Sequence, residues 1–279
     1  MSKLSEMWGI GMNKATATMQ VTTQRGKRSA ILPLSRRYRA DRIHGMRRLN
    51  GKFATDTLFS NVKSLNQNKC KVFSTKFGFS AVYPMEDSKG ETIGQAYTDF
   101  ANDWGIPEKL TMDSYSSQIG KNTTFMKAIR KHEVKYHISA PRTPNQNPAE
   151  GCIRELKKRW FRIMVKKKVP RRLWDYGLVW ISETGNLTVS SSKYAHGRTS
   201  IEIITGDTPD ISEYIDFGFY DWVTFRSDAG LGELQLGRWL GVWHKVGQLM
   251  SYWILPISGR PISCTHVQRL TNLEMKTDE

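Results

Sequence analysis

Three carboxylates stand where a carboxylate is either costly or conspicuous. Asp56 lies inside "FATDTLFSNV", a β-branched and aromatic run that reads as a strand. Aspartate is a poor strand former, and burying its charge is expensive unless it is paired or metal-bound. Taken singly, Asp56 reads equally well as an exposed edge residue. Asp113 ends the short strand "KLTMD", where an Asx side chain also serves as a turn cap. Glu150 opens the basic segment "AEGCIRELKKRWFRI", where a first-turn acid also suits the helix dipole. Together the three have a common chemistry. Three carboxylates in one cleft cannot all ionise without cations. Hard oxygen donors select magnesium or manganese. Two such ions, about 4 Å apart, activate an attacking oxygen and stabilise the leaving one in an in-line phosphodiester displacement.

The elements that must position these acids read as an α/β body. "FATDTLFSNV" and "CKVFSTKFGFSAVYPM" predict three antiparallel strands in a meander. A helix follows, with Ile93, Tyr97, Phe100 and Trp104 at helical spacing; Ser88 is its expected cap, Glu91 follows three residues on, and Gly105 and Pro107 stop it. "KLTMD", "KNTTFMKAIRKH" and "VKYHIS" then give strand, helix and strand. From residue 149 the helical period sets Ile153, Leu156, Trp160 and Ile163 on an inward stripe and Glu150, Arg154, Lys157 and Lys158 on another. A further helix starts near Pro170. With the first three strands antiparallel, the middle of strand one and the end of strand four are expected side by side, and the Glu150 helix can cross them. Asp87, Asp99 and Asp103 fit solvent exposure. The aromatics of the C-terminal strands, among them Trp239, Trp243, Tyr252 and Trp253, fit a barrel core better than a stacking surface.

Charge points to a polyanion. The net charge is +16, and residues 1–52 hold +10 while residues 152–172 hold +9, leaving the remainder slightly acidic. Two basic blocks beside a near-neutral body favour nucleic acid, although a solvated basic face has the same composition. No apolar run is long enough for a membrane span, and the N-terminal stretch lacks a signal-peptide core. Cys70, Cys152 and Cys264 are too scattered for a disulfide framework and lack zinc-finger spacing with the histidines, so no structural zinc is expected.

The motifs "TDTLF", "TMDSYSSQIG" and "PNQNPAEGCIREL" resemble the D,D,E signature of retrotransposon integrases, those of the copia-like (Ty1/copia-type) LTR lineage in particular. The resemblance covers about residues 49–195. It implies an α/β fold: an RNase H-like core, a mixed five-stranded sheet with flanking helices, followed by a small C-terminal β-barrel. The implied division is a basic segment 1–48, the catalytic core 49–195, a linker 196–213 and an SH3-like β-barrel 214–273. Asp56, Asp113 and Glu150 would be the catalytic, metal-binding triad for two Mg2+ or Mn2+ ions. Gln146 and Asn147 would belong to a loop that meets DNA, and Arg154, Lys157 and Lys158 would grip DNA through phosphates. The implied activity is 3′-end processing and strand transfer of element DNA into target DNA, by a homo-oligomer made in the cytoplasm and acting in the nucleus.

The chain departs from many integrases in two respects. It has no His-His-Cys-Cys zinc module before the core, and Ser114, not glycine, follows the second aspartate. An inactive or domesticated DNA-binding remnant is therefore the alternative expectation. A ribonuclease H or a cut-and-paste transposase would share the core chemistry.

Overall fold

The structure, a computed structural model, describes residues 3–28, 36–37, 48–66, 69–75, 78–114, 120, 122–140, 147–191, 195–226, 232–244, 250–270 and 274. The chain divides into two compact units. One comprises Met1–Arg42 with Asp210–Glu279, the other Ile43–Pro209.

The first unit begins with α1 (Lys3–Trp8) and α2 (Met12–Val21), followed by the two-residue strands β1 (Lys27–Arg28) and β2 (Arg36–Arg37). The basic N-terminal segment, to which the sequence assigned no structure, is thus partly helical. Its attachment is polar and specific. The Trp8 indole N–H donates to the Tyr214 carbonyl at 3.1 Å, and the Arg25 and Gly26 amides donate to Asp210 Oδ2 and Ser212 Oγ, each at 2.7 Å.

The second unit holds β3 (Arg48–Leu58), β4 (Lys69–Thr75), β5 (Ser80–Met85), α3 (Gly90–Asp103), β6 (Ile106–Met112), α4 (Thr124–Lys131), β7 (Lys135–Ile138), α5 (Pro148–Lys166), α6 (Trp174–Leu187) and α7 (Ser200–Thr205). The sheet order is β5-β4-β3-β6-β7. β3, β4 and β5 pair antiparallel, as expected, while β6 and β7 run parallel to β3. This five-stranded mixed sheet with flanking helices fits an RNase H-like core.

Strand alternation gives the sheet two buried faces. Phe53, Phe73, Ala81, Leu110 and Met112 pack with Ile93, Tyr97, Phe100, Phe125 and Ile129 of α3 and α4. Phe73 and Phe100 stack with ring centroids 4.4 Å apart. Ser80, one residue before Ala81, takes the other face, where its hydroxyl meets Ser182 of α6 at 3.1 Å and its amide donates to Asn186. α5 and α6 cover that face against β3, β4 and β5.

Two expectations change on this side of the chain. Ser88 does not cap α3; Lys89 occupies the N-cap position without a side-chain bond. Asp87 ties the turn instead, accepting from the Lys89 amide at 3.0 Å and from the Thr92 hydroxyl at 2.6 Å. These bonds hold its carboxyl down from the ordinary 3.8 to about 2. The expected linker 196–213 also contains structure. Thr199 caps α7 by accepting from the Glu202 amide, Gly206 closes it at φ 80°, and Ile204 joins the core beneath β3.

The first unit continues with β8 (Trp222–Arg226), β9 (Leu234–Val242), β10 (Tyr252–Pro256), β11 (Ile262–Cys264) and β12 (His266–Arg269), an antiparallel sheet in the order β11-β10-β9-β8-β12. Its two edge strands are separated in sequence by Thr265 alone. Across a flat five-stranded sheet the edges would lie about 19 Å apart, whereas two peptide links span at most about 7.6 Å. The sheet must therefore curl. Cys264 Sγ of β11 donates to the Arg226 carbonyl of β8 at 3.0 Å, in keeping with that curl. Trp239 and Tyr252 are fully buried inside it, while Trp243 and Trp253 are half-buried and pack on each other at 5.5 Å. Among the described residues no helix is long and apolar enough to cross a membrane.

Candidate active site

The β3–β6 register brings Asp56 and Asp113 to the same end of the sheet. Thr55 pairs with Met112, the last residue of β6, so each aspartate directly follows a member of the final pair. One residue decides this. Leu49 pairs with Pro107 but Lys52 with Lys109, so β3 carries an extra residue around Gly51, whose φ of 109° suits glycine. Without that bulge Asp56 would come opposite Ser114.

Both aspartates also share a face. Asp56 pairs with Val72, one residue from the inward Phe73, and Asp113 follows the inward Met112. Alternation therefore turns both toward α5 and α6, away from the aromatic core. Each is half-buried and adopts the same local bond: its Oδ1 accepts from the following amide, Thr57 or Ser114, at 2.7 Å. Two carboxylates with the same local bond thus sit at one end of the sheet.

α5 is anchored to the same end. Asn147 is its N-cap and Pro148 begins it, a residue whose fixed φ and missing N–H suit the first helical position. Asn147 was expected to meet DNA, but it is 4% exposed and turned inward. Its Oδ1 accepts from the Ala149 amide at 3.1 Å, and its Nδ2 donates to the Thr55 carbonyl at 3.3 Å. The amide thereby fixes the helix start one residue from Asp56. Both halves of the side chain are used by the fold. Gln146 lies outside the described residues.

Glu150 stands three residues into this helix and is exposed. Beneath it Ala149, Leu156, Trp160 and Ile163 are buried, with Ile153 half-buried, so the expected inward stripe holds. Cys152 packs toward Ser74 and Ser80, and burial pushes its thiol up to about 11, so it is protonated at neutral pH. The outer face forms an open groove of about 510 Å³ lined by Glu150, Arg154, Lys157, Lys158, Phe161 and Arg162. Arg154, Lys157 and Lys158 are all exposed, as expected. Two are tied locally. Lys157 Nζ donates to the Phe59 carbonyl at 3.3 Å, and Lys158 pairs with Glu155 at 2.9 Å. That contact holds the Glu155 carboxyl below its ordinary range.

The acids fit a hard divalent cation in kind. Their arrangement is less complete: among the described residues, no three His, Cys, Asp or Glu side chains gather closely enough to hold a metal ion. Asp56 and Asp113 follow the paired strand ends, and the start of α5 is tied to the same end through Asn147 without closing the set.

No family model and no curated protein matches the chain. Solved structures do. The catalytic core domain of BIV integrase aligns over 55% of this chain and 91% of its own at 14% identity and a TM-score of 0.41. The HTLV-2 integrase catalytic core domain in complex with magnesium, a trimeric form, aligns over 55% and 95% at 16% identity and a TM-score of 0.42. A simian T-cell lymphotropic virus intasome aligns over 81% and 82% at 14% identity and a TM-score of 0.45. The fold described above rests on the strand order and register of the chain itself.

Proposed function

We propose that the chain is an integrase-type polynucleotidyl transferase of a copia-like retrotransposon, acting on the ends of element DNA and joining them to target DNA. The observation that supports this reading is the Thr55–Met112 register, after which Asp56 and Asp113 follow at one end of the sheet, with Asn147 tying the Glu150 helix to the adjacent backbone. Asp56, Asp113 and Glu150 are the residues that would hold Mg2+ or Mn2+. The metal, when bound, supplies activation of the attacking oxygen and relief of charge at the leaving one. The chain's own residues do the rest. Asn147 and the paired strand ends hold the carboxylates to one side of the sheet, and Arg154, Lys157 and Lys158 receive the phosphates of the strand. The curled C-terminal sheet is the barrel module of the same reading. A homo-oligomer working in the nucleus on two DNA ends completes it.

The test is strand transfer on linear duplex ends with Mg2+ or Mn2+. Wild-type chain should join ends, and Asp56→Asn or Glu150→Gln should abolish joining while DNA affinity stays within about twofold, since neither residue is a cation. Activity retained in both variants would sink the triad assignment. The incomplete gathering of the three acids favours a second reading, a DNA-binding remnant without catalysis. It predicts salt-sensitive DNA binding and no metal-dependent cleavage by the wild-type chain.

A further inference from the structure

Helix α5 carries a phenyl ring where a solvated helix should be polar. Eleven residues after Glu150, at 100° per residue, Phe161 returns to within about 20° of the same azimuth, roughly 16 Å along the axis. Its side chain is 61% exposed and lines the groove with Arg154, Lys157, Lys158 and Arg162. A second large ring, Phe59, follows Asp56 by three residues and is 51% exposed. Lys157 links the two, because it lines the Phe161 groove while its ammonium donates to the Phe59 carbonyl. Lys69 Nζ lies 5.6 Å from the Phe59 ring centroid. Exposed rings interleaved with cations along one strip are an uncommon use of apolar surface.

We infer that Phe59 and Phe161 are stacking platforms for unpaired bases of a DNA strand whose phosphates lie on Arg154, Lys157 and Arg162. The inference rests on the proposed polynucleotide substrate and narrows it to ends carrying unpaired nucleotides. Charge chooses the occupant. The centres of protein–protein interfaces are depleted in lysine, because burying an ammonium against apolar groups is costly. A single strand instead offers a π-face to each ring and a phosphate to each neighbouring cation. Val165, exposed one turn beyond Phe161, would extend an apolar patch, so a second copy of the chain is the competing occupant.

The experiment is fluorescence anisotropy with the full chain and two labelled probes: a flush duplex, and the same duplex with a three-nucleotide unpaired end. Phe161→Ala should weaken binding of the unpaired end about tenfold to a hundredfold and that of the flush duplex less than about twofold. Phe161→Tyr should restore the preference and Phe161→Leu should not; Phe59→Ala should act in the same direction. Equal losses on both probes, or leucine serving as well as tyrosine, would overturn the inference. So would unchanged affinities with a shifted sedimentation coefficient, which would assign the strip to a second copy. Catalysis is separable from this outcome. An Asp56→Asn chain that joins no ends but keeps the probe preference leaves the platform standing. An active chain without the preference overturns the platform alone.

Discussion

At the scale of single residues, Asn147 shows how little of a site's assembly is written in residue type. A polar residue in a proline-spaced loop before a basic helix reads as surface, yet it is buried and bridges two elements. Serine is a comparable N-cap but is too short to reach Thr55, so Asn147→Ser separates the two tasks. The variant should lose about 1 kcal/mol of stability, the worth of one hydrogen bond, in urea titration. Strand transfer should fall at least tenfold, because a displacement of about 1 Å at the chemistry is enough for that loss. Unchanged strand transfer would show that the tether does not position Glu150. Of the acids only Asp56 is locally unfavoured, inside a strand, whereas Asp113 and Glu150 sit where a turn cap and the helix dipole also suit an acid, so the sequence singles them out only as a set. Phe161 was also open to discovery, as it lies on the Glu150 stripe at helical spacing, but only its exposure separates it from the buried Trp160 beside it.

At the scale of elements, the sequence predicted the strand and helix types because period 2 and period 3.6 are local properties. It did not predict how helices cross. Two glycines make the point. A Cβ at Gly177 of α6 would overlap the ring of Trp160 on α5, whereas one at Gly151 would meet nothing within 4 Å. Alanine usually improves a helix over glycine by up to about 1 kcal/mol. Gly151→Ala should therefore be neutral or stabilising. Gly177→Ala should destabilise by about 1–3 kcal/mol, since overpacking a closed helix crossing outweighs the propensity gain. Thermal melts of the two variants should shift in opposite directions, and equal shifts would show that Trp160 yields to the new methyl. The same reasoning explains α7, missed in a stretch rich in turn residues, since its stability comes from Ile204 in the core and not from periodicity.

At the scale of the whole molecule, the charge of +16 is concentrated in two sequence blocks, one in the N-terminal segment and one along and beyond α5. DNA affinity should therefore fall linearly on a log–log salt plot, and each phosphate contact removed should lower the slope by about 0.9 on duplex. Lys157→Ala with Arg154→Ala should reduce it by roughly 1.8, while Lys135→Ala, on the exposed edge strand β7, should leave it unchanged. A slope untouched by the α5 pair would move the DNA surface elsewhere. The sequence by itself determined the charge segregation, the order of strands and helices in the body, the mixed sheet and the three acids that make it chemically interesting. Tertiary structure alone decided that the N-terminal segment joins the C-terminal sheet, that an extra residue at Gly51 shifts the β3–β6 register, and that Asn147 turns inward to tie the start of α5 to Thr55. The division has a physical cause. Hydrophobic period and charge are fixed within a few residues of the chain, whereas register and helix crossing depend on contacts between segments that the sequence does not place side by side.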